Sequence, residues 1–514
     1  MKKDATLEAR GYILKSENMF NNGKLVEARL MATKAVEIDP ENATAHSNLG
    51  AIFHKLGDMK NAIFHSEKAS RLFYSSNQYN KSALMNLAFS LIGAGKLREA
   101  VSVLHGCQNT GDTDFTNLLN QALTMQQQKI ANGLHDIFEL FKPANVVFGV
   151  MHSYRLGHIS ANTEMLLRFI QLGRLSKETK YILIAPEDPA NRQLVDMYKR
   201  HISIIENSEL FNFVNSYGPL LANSEHWINT YSLYDTTQYE EFNSTNKTIS
   251  FTEEEEEKGM MELEKMGIKN KDWFVCIFAR DSEYLKVHTP NADWSYHDFR
   301  DMDINTYRKA IDFIIGKGGY VVRVGEISNQ KLNYRHKKMI HYGGSDKRSD
   351  FMDIYLTAKC RMYIGSPSGL SAPAEMSFEI PLLLVNNTPV GFKPIAKNSL
   401  YIPKKIKNIA NNSYASFAKI FNEFANLGDP VLGDGNKFRE LGYVYEDNTE
   451  DEILDATIEM YEQVTSESKR ELSADDKALL NSYFELYPEN HFSRKNKTPV
   501  ALSFLKRNRE LYFE

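Results

Sequence analysis

A spacing of 34 residues, kept by more than one residue type, constrains this chain more than any other feature. Gly23 and Gly57 stand 34 apart, as do Ala28 and Ala62; Gly95 and Ala100 repeat the pair after 38, a four-residue insertion around Ser75–Tyr79. The segments align as NNGKLVEARLMATKAVEIDP, KLGDMKNAIFHSEKASRL and GAGKLREAVSVLHGC, and Ala35 and Ala69 keep the same interval further on. A glycine ending one helix accepts the left-handed turn that a side chain would resist, and alanines let the next helix lie close. Each unit is then a pair of antiparallel helices. Such a pair cannot bury its apolar face alone, so successive pairs must stack.

This period is that of the tetratricopeptide (TPR) repeat. An array of three hairpins is expected over about Gly11–Gln127. Asp39–Pro40 closes the first repeat, Asn48–Leu49–Gly50 supplies the close contact of the second, and a helix at Asp114–Gln127 caps the last. An unrelated helical bundle would leave the shared register of so many markers unexplained.

Beyond residue 140 the pattern changes. KPANVVFGVM (Lys142–Met151), KYILIAP (Lys180–Pro186), DWFVCIFARD (Asp272–Asp281), GGYVVRVGE (Gly318–Glu326), RMYIGSPSG (Arg361–Gly369) and IPLLLVN (Ile380–Asn386) are short apolar runs with polar or turn-forming borders. They read as buried parallel strands. Helical patterns lie between them at Asn162–Leu172, Asn305–Ile315, Asp350–Ala358 and Ala372–Phe378. A boundary falls near 245–270, where Thr252 serves as the N-cap of TEEEEEKGMMELEKMG and its glutamates favour the first helical turn; an acidic binding patch is the other reading of that run. The expected fold is an α/α TPR superhelix over 1–130 followed by α/β structure. The latter comprises two Rossmann-like halves, 140–250 and 265–450, with a cleft between them and helices over 451–514 packing back on the core.

With 42% hydrophobic and 25% charged residues and a net charge of -5, the chain has material for large cores and no basic bias toward nucleic acid. Cys107, Cys276 and Cys360 lie too far apart to suggest a disulfide framework or a cysteine zinc site, which fits a reducing cytosol. MKKDATLEARGY lacks the apolar core of a secretory signal, and no apolar run is long enough to span a membrane. A cytoplasmic protein is expected, with peripheral association with the inner membrane left open.

Three segments carry candidate chemistry. In GVMHSYRLGHISANTEMLLR, a strand ends near Val150, and Arg155, Gly157 and His158 occupy the loop before a helix. Ligands of open α/β sheets bind at the carboxyl ends of strands, beside helix N-termini that favour anions. Arg155 or His158 could contact a phosphate there, and His158 could act as a base; a plain capping loop is the alternative. In the second segment Arg280 and Asp281 follow a strand directly, where a guanidinium could grip a diphosphate. A long polar loop with Tyr284, His288, Trp294, Tyr296, His297, Asp298 and Arg300 comes next. Asp301–Met302–Asp303 has the D-x-D spacing of a metal site, but Asp303 reads as a helix N-cap, and no required metal is expected. In the third segment, Ser366, Ser368 and Gly369 of GSPSGLS offer amides and hydroxyls at the start of a helix, a phosphate cradle without a Walker lysine. Glu375 on that helix could hold sugar or ribose hydroxyls; a plain tight turn is again the alternative.

From about Asn145 to Pro403 the strings GHISANTEMLLR, ARDSEYL, YHDFRDMDINTYRKAI, YVVRVG, SDFMDIYLTAKCRMYIGSPSGL and IPLLLVN occur in order. Together with the repeats they resemble a family of TPR-containing bacterial glycosyltransferases of the GT-B type. The resemblance implies a nucleotide-sugar co-substrate; no other cofactor is expected, and with Asp303 read as an N-cap the transfer is expected to be metal-independent. It places the donor mainly on the C-terminal half, at Arg280, Asp281, Arg323, Ser366, Ser368, Gly369 and Glu375, and the acceptor on the N-terminal side, near Arg155 and Gly157. The Arg280–Asp281 strand end is also similar to the phosphate grip of fucosyltransferase-like enzymes. TPR repeats ahead of such a module are similar in layout to the protein O-GlcNAc transferases, whose catalytic motifs are absent here. His158, His288, His297 and Asp298 are candidates for the base that deprotonates the acceptor, and the sequence does not choose among them. A surface glycan is the expected acceptor. The alternatives are a protein acceptor or partner held by the repeats, and a non-catalytic scaffold.

Overall fold

The computed structural model describes residues 2–107, 111–222, 224–288, 293, 295–326, 330–388, 391–424, 433–465 and 471–512. It divides into two compact units, Met1–Leu140 with Pro219–Leu221, and Phe141–Gly218 with Ala222–Glu514.

The first unit contains α1 (Lys2–Asn21), α2 (Leu25–Ile38), α3 (Ala43–Lys55), α4 (Met59–Ser75), α5 (Lys81–Gly93), α6 (Leu97–Gly106) and α7 (Thr113–Glu139). Gly23, Gly57 and Gly95 turn the chain between paired helices at φ of 75°, 80° and 72°. Ala28, Ala62 and Ala100 are fully buried, as are Ala35 and Ala69. At Gly50 the backbones of α3 and α4 come so close that a Cβ would lie 2.2 Å from the Ser66 hydroxyl. Asn42, Asp58 and Asn80 cap α3, α4 and α5 through their side-chain oxygens. Two expectations need correction. The array begins at Lys2 rather than Gly11, and α7 runs on to Glu139 instead of ending at Gln127. TMQQQKIANGLHDIFE contains no proline, and its residues sustain a helix in which Ala131 and Phe138 are still buried.

The second unit is built on two parallel sheets. The first comprises β1 (Val146–Val150), β2 (Lys180–Ala185), β3 (Ser203–Glu206) and β4 (Trp227–Ile228), in the order β3-β2-β1-β4. The second comprises β5 (Phe274–Phe278), β6 (Tyr320–Arg323), β7 (Met339–His341), β8 (Tyr363–Gly365), β9 (Leu382–Asn387) and β10 (Leu400–Pro403), in the order β10-β9-β8-β5-β6-β7. β11 (Lys405–Asn408) and β12 (Tyr443–Glu446) form a small antiparallel pair. In both sheets the strand that comes first in sequence lies inside, between the second and the fourth. This is the doubly wound order, and the gap between first and fourth strands is the switch point where such sheets bind ligands.

α8 (Leu156–Gln171) joins the sheets. It starts at Leu156, earlier than the expected Asn162. Its Ser160 hydroxyl donates to Ala372 O at 2.9 Å and lies 2.6 Å from Ser377 Oγ. Tyr198, on α9 (Arg192–Lys199), places its hydroxyl 2.9 Å from the same Ser377 Oγ. The helix expected over Ala372–Phe378 is instead one π-helical turn, Pro373–Ser377, pinned by these hydroxyls. At the C-terminus, helices Glu450–Thr465 and Leu502–Arg507 add Ile453, Ala456, Met460, Phe504 and Leu505 to the core of the second sheet.

Candidate functional site

At the first switch point the loop after β1 meets the loop after β4. The Thr230 hydroxyl ties them by donating to Val150 O. His152, His158 and Tyr231 then form a ring cluster, with centroids 5.5 Å (His152–Tyr231), 5.1 Å (His158–Tyr231) and 6.0 Å (His152–His158) apart. Burial lowers the His152 pKa to about 4, with His158 and Arg155 adding to the effect. Burial also lowers that of His158, a hydrogen bond to the Asn162 side chain opposes the shift, and Arg155 reinforces it.

The tautomer of His158 follows from its neighbour. The Asn162 amide nitrogen donates to Thr230 O at 2.8 Å and Tyr231 O at 3.0 Å, which fixes the orientation of the amide. Its oxygen therefore accepts from His158 Nδ1 at 3.1 Å. Nδ1 carries the proton, and Nε2, with no protein partner among the described residues, holds the lone pair.

At the second switch point, the loops after β5 and β8 are laced together. Ser366 Oγ accepts from the Arg280 amide at 2.9 Å, and Ser366 N donates to Phe278 O. The buried Arg280 guanidinium donates through Nη1 to His297 O at 3.2 Å and to the Asp301 carboxylate. Arg300 donates through Nη2 to Pro367 O at 2.9 Å, and its buried Nε has no partner among the described residues. Lys404, itself buried, donates to Asp301 O at 2.7 Å and pairs with Asp447 at 2.6 Å. Burial, then the charge of Arg280, pulls Arg300 down to about 10. Burial pushes Asp301 up to about 6 even though Arg280 favours its ionised form.

The two switch points meet at a pair of glycines. A Cβ on Gly157 would lie 3.0 Å from Gly369 Cα, so neither loop tolerates a side chain there without moving. His297 sits where burial and the charges of Arg300, Arg280 and Arg155 hold its pKa near 4.

The structure thus gathers Arg155, Gly157, His158, Arg280, His297 and Gly369 from the residues singled out in the sequence. Ser368 is in the same loop, its hydroxyl accepting from Leu370 N at 3.0 Å, and the amides of Ser368 and Gly369 have no protein acceptor among the described residues. Others are engaged elsewhere. Glu375 is buried, and its Oε1 accepts from the amides of Ile395 and Ala396. Ser366 spends its hydroxyl as described. Arg323 donates to Gln330 O at 2.8 Å, and Asp281 accepts from Glu283 N at 3.2 Å. Asp298 is exposed. Asp303 caps its helix through Asn305 N at 2.9 Å. The side chain of His288, and Trp294, lie outside the described residues. His152, Tyr231, Asp301 and Lys404 were missed. A D-x-D spacing drew attention to Asp301, and nothing in the local sequence marks the other three.

A TPR repeat family model matches residues 33–57. No curated protein matches the chain. Among solved structures, the first TPR of Spaghetti (RPAP3) bound to an HSP90 peptide is 21% identical, over 24% of this chain and 97% of that one, with a TM-score of 0.22. A glycosyl transferase family 9 protein from Veillonella parvula DSM 2008 is 11% identical, over 63% of this chain and 97% of that one, with a TM-score of 0.39. The iron-containing dodecameric glycosyltransferase TibC from enterotoxigenic E. coli H10407 is 14% identical, over 50% of this chain and 61% of that one, with a TM-score of 0.27. The chain holds a TPR repeat, and its structural neighbours include glycosyltransferases at low identity.

Proposed function

We propose that the chain transfers a sugar from a nucleotide-sugar donor to an acceptor hydroxyl, without a metal ion or resident cofactor. The observation that carries this reading is a pair of guanidiniums enclosed side by side. Arg280 and Arg300 are held close together in the loops of the second switch point, where they share the carboxylate of Asp301, and Asp281 and Asp298 are near enough to act on that carboxylate. Enclosing like charges is unfavourable unless a counter-charge arrives. A donor diphosphate brings roughly two negative charges and gains about one more as the sugar departs, so fixed guanidiniums favour the transition state over the ground state. The unpartnered amides of Ser368 and Gly369 can add to this field.

In a direct displacement, the bond between the anomeric carbon and the phosphate oxygen breaks and its electron pair stays on the phosphate. The acceptor oxygen bonds to the anomeric carbon and loses its proton to His158 Nε2. His297 is the weaker candidate, because a group with a pKa near 4 has little affinity for that proton. A glycan is the favoured acceptor. A protein acceptor is the second reading, favoured by the helical repeats, whose surfaces commonly hold peptides.

The test is a panel of nucleotide sugars incubated with the purified chain in EDTA, following release of the nucleoside diphosphate. Neither binding nor hydrolysis of any donor would overturn the enzyme reading, and full donor affinity in Arg280→Ala would overturn the phosphate grip. Deleting residues 1–140, up to the end of the first unit, separates the two acceptors: only protein modification should be lost while donor hydrolysis persists.

A further inference from the structure

Resting on that reading, we infer that Arg155, which belongs to the first sheet, binds the donor diphosphate, so that the phosphate grip is assembled from both sheets. The family resemblance implied the acceptor side for this residue. Its surroundings argue otherwise.

Arg155 is the N-cap residue of α8 but makes no capping hydrogen bond with its side chain. The guanidinium is exposed, touches only the Tyr154 ring at 6.0 Å, and pairs with no carboxylate among the described residues. Its place relative to the second switch point is fixed by backbone. Arg155 is two residues before Gly157, and Gly157 abuts Gly369. Gly369 is in turn two residues beyond Pro367, whose carbonyl holds Arg300. Two residues span at most about 7 Å, so Arg155 and Arg300 stand on either side of one close backbone contact. His297, whose carbonyl holds Arg280, is near enough to Arg155 to feel its charge.

The charges then sort themselves. Arg280 is balanced by Asp301 and Lys404 by Asp447. Arg300 shares the carboxylate of Asp301 with Arg280, whereas Arg155 pairs with no carboxylate among the described residues. A free guanidinium beside that pair suits a diphosphate ester, and a neutral acceptor hydroxyl gives no reason for it. The nucleoside lies over the second sheet in this reading, so the phosphate distal to it is the one that reaches Arg155.

The distinguishing measurement is a titration of the full chain with UDP and UMP, and with GDP and GMP, by calorimetry. The wild type should bind the diphosphate of its preferred nucleoside at least about tenfold more tightly than the monophosphate. Arg155→Gln should bring that ratio close to one while leaving monophosphate affinity unchanged, and Arg155→Lys should restore part of it. Because the side chain is exposed, the thermal midpoint should not move. A wild-type ratio in Arg155→Gln, or a loss confined to acceptor KM, would overturn the inference and leave the donor reading intact. Failure of the wild type to bind any of the four nucleotides would instead sink the donor reading itself.

Discussion

His158 differs from the other candidate bases because a neighbouring amide determines which of its nitrogens is free. With Asn162 held by two carbonyls, the imidazole has one tautomer, and Nε2 is the atom that can take a proton. His158→Ala should lower kcat by about 10²–10⁴. Asn162→Ala removes the interaction that opposes the lowering of the His158 pKa, so the acid limb of the kcat/KM profile should move to lower pH. A shift to higher pH would refute the assignment. Glu375 makes the contrary point. In the sequence it follows a Ser-Gly loop and looks like a ligand for hydroxyls, but burial is a property of the whole fold and cannot be read from SGLSAPAE. Its pKa is pushed from 4.5 up to about 7 by that burial, with the amides of Ile395 and Ala396 opposing. The folded state therefore binds the proton more tightly than the unfolded chain, and the stability due to this group is present below pH 4.5 and lost as pH rises through 7. Glu375→Gln should remove this loss, gaining up to about 3 kcal/mol at pH 8 relative to pH 5 in denaturant unfolding.

At the scale of helices and strands, legibility followed periodicity. The glycines and alanines of the repeats announced both the hairpins and the tight spot at Gly50. The six strands read from apolar runs are present because each is buried on both faces, as parallel strands must be. β3, β4, β7 and β10–β12 escaped notice. β4 is two residues long, β7 three, and β3 and β12 are no more than half-buried, so their sequences carry neither a run nor an alternation to detect. The Gly50 contact can be tested directly. Gly50→Ala places a Cβ 2.2 Å from Ser66 Oγ and 3.2 Å from Ser66 N, and should destabilise the first unit by about 1–3 kcal/mol. Ser66→Gly in the same chain should return most of that, since it removes the hydroxyl and Cβ that the new methyl meets. Equal stability of the single and double variants would show that the helices shift apart instead.

At the scale of the second unit, the loops that form the site work together only while the two sheets keep one register, and Arg168 is central to that register. It is fully buried on α8, where Nε donates to Glu164 at 3.0 Å and Nη1 to Phe242 O at 2.7 Å. Nη2 reaches Glu379 at 2.7 Å, three residues before β9 of the second sheet. The guanidinium also stacks on the Phe242 ring at 3.9 Å. Glu164 in turn accepts from Thr248 and Tyr198, so the group is satisfied on every side. No sequence pattern announces this network, because Glu164, Thr248 and Glu379 come from three distant segments and only the folded chain brings them together. Removing one partner from a buried charge network is far worse than removing both, since it leaves the other charge enclosed and unpaired. Arg168→Met should therefore destabilise the second unit by about 3–5 kcal/mol, and adding Glu164→Gln should recover a substantial part. Because the same α8 carries Gly157 and His158 at its opposite end, Arg168→Met should also lower kcat. Calorimetric unfolding should show the two sheets melting in one transition. A separate transition for the first sheet would mean that Arg168 braces one half only, and that the glycine contact alone keeps the two switch points in register.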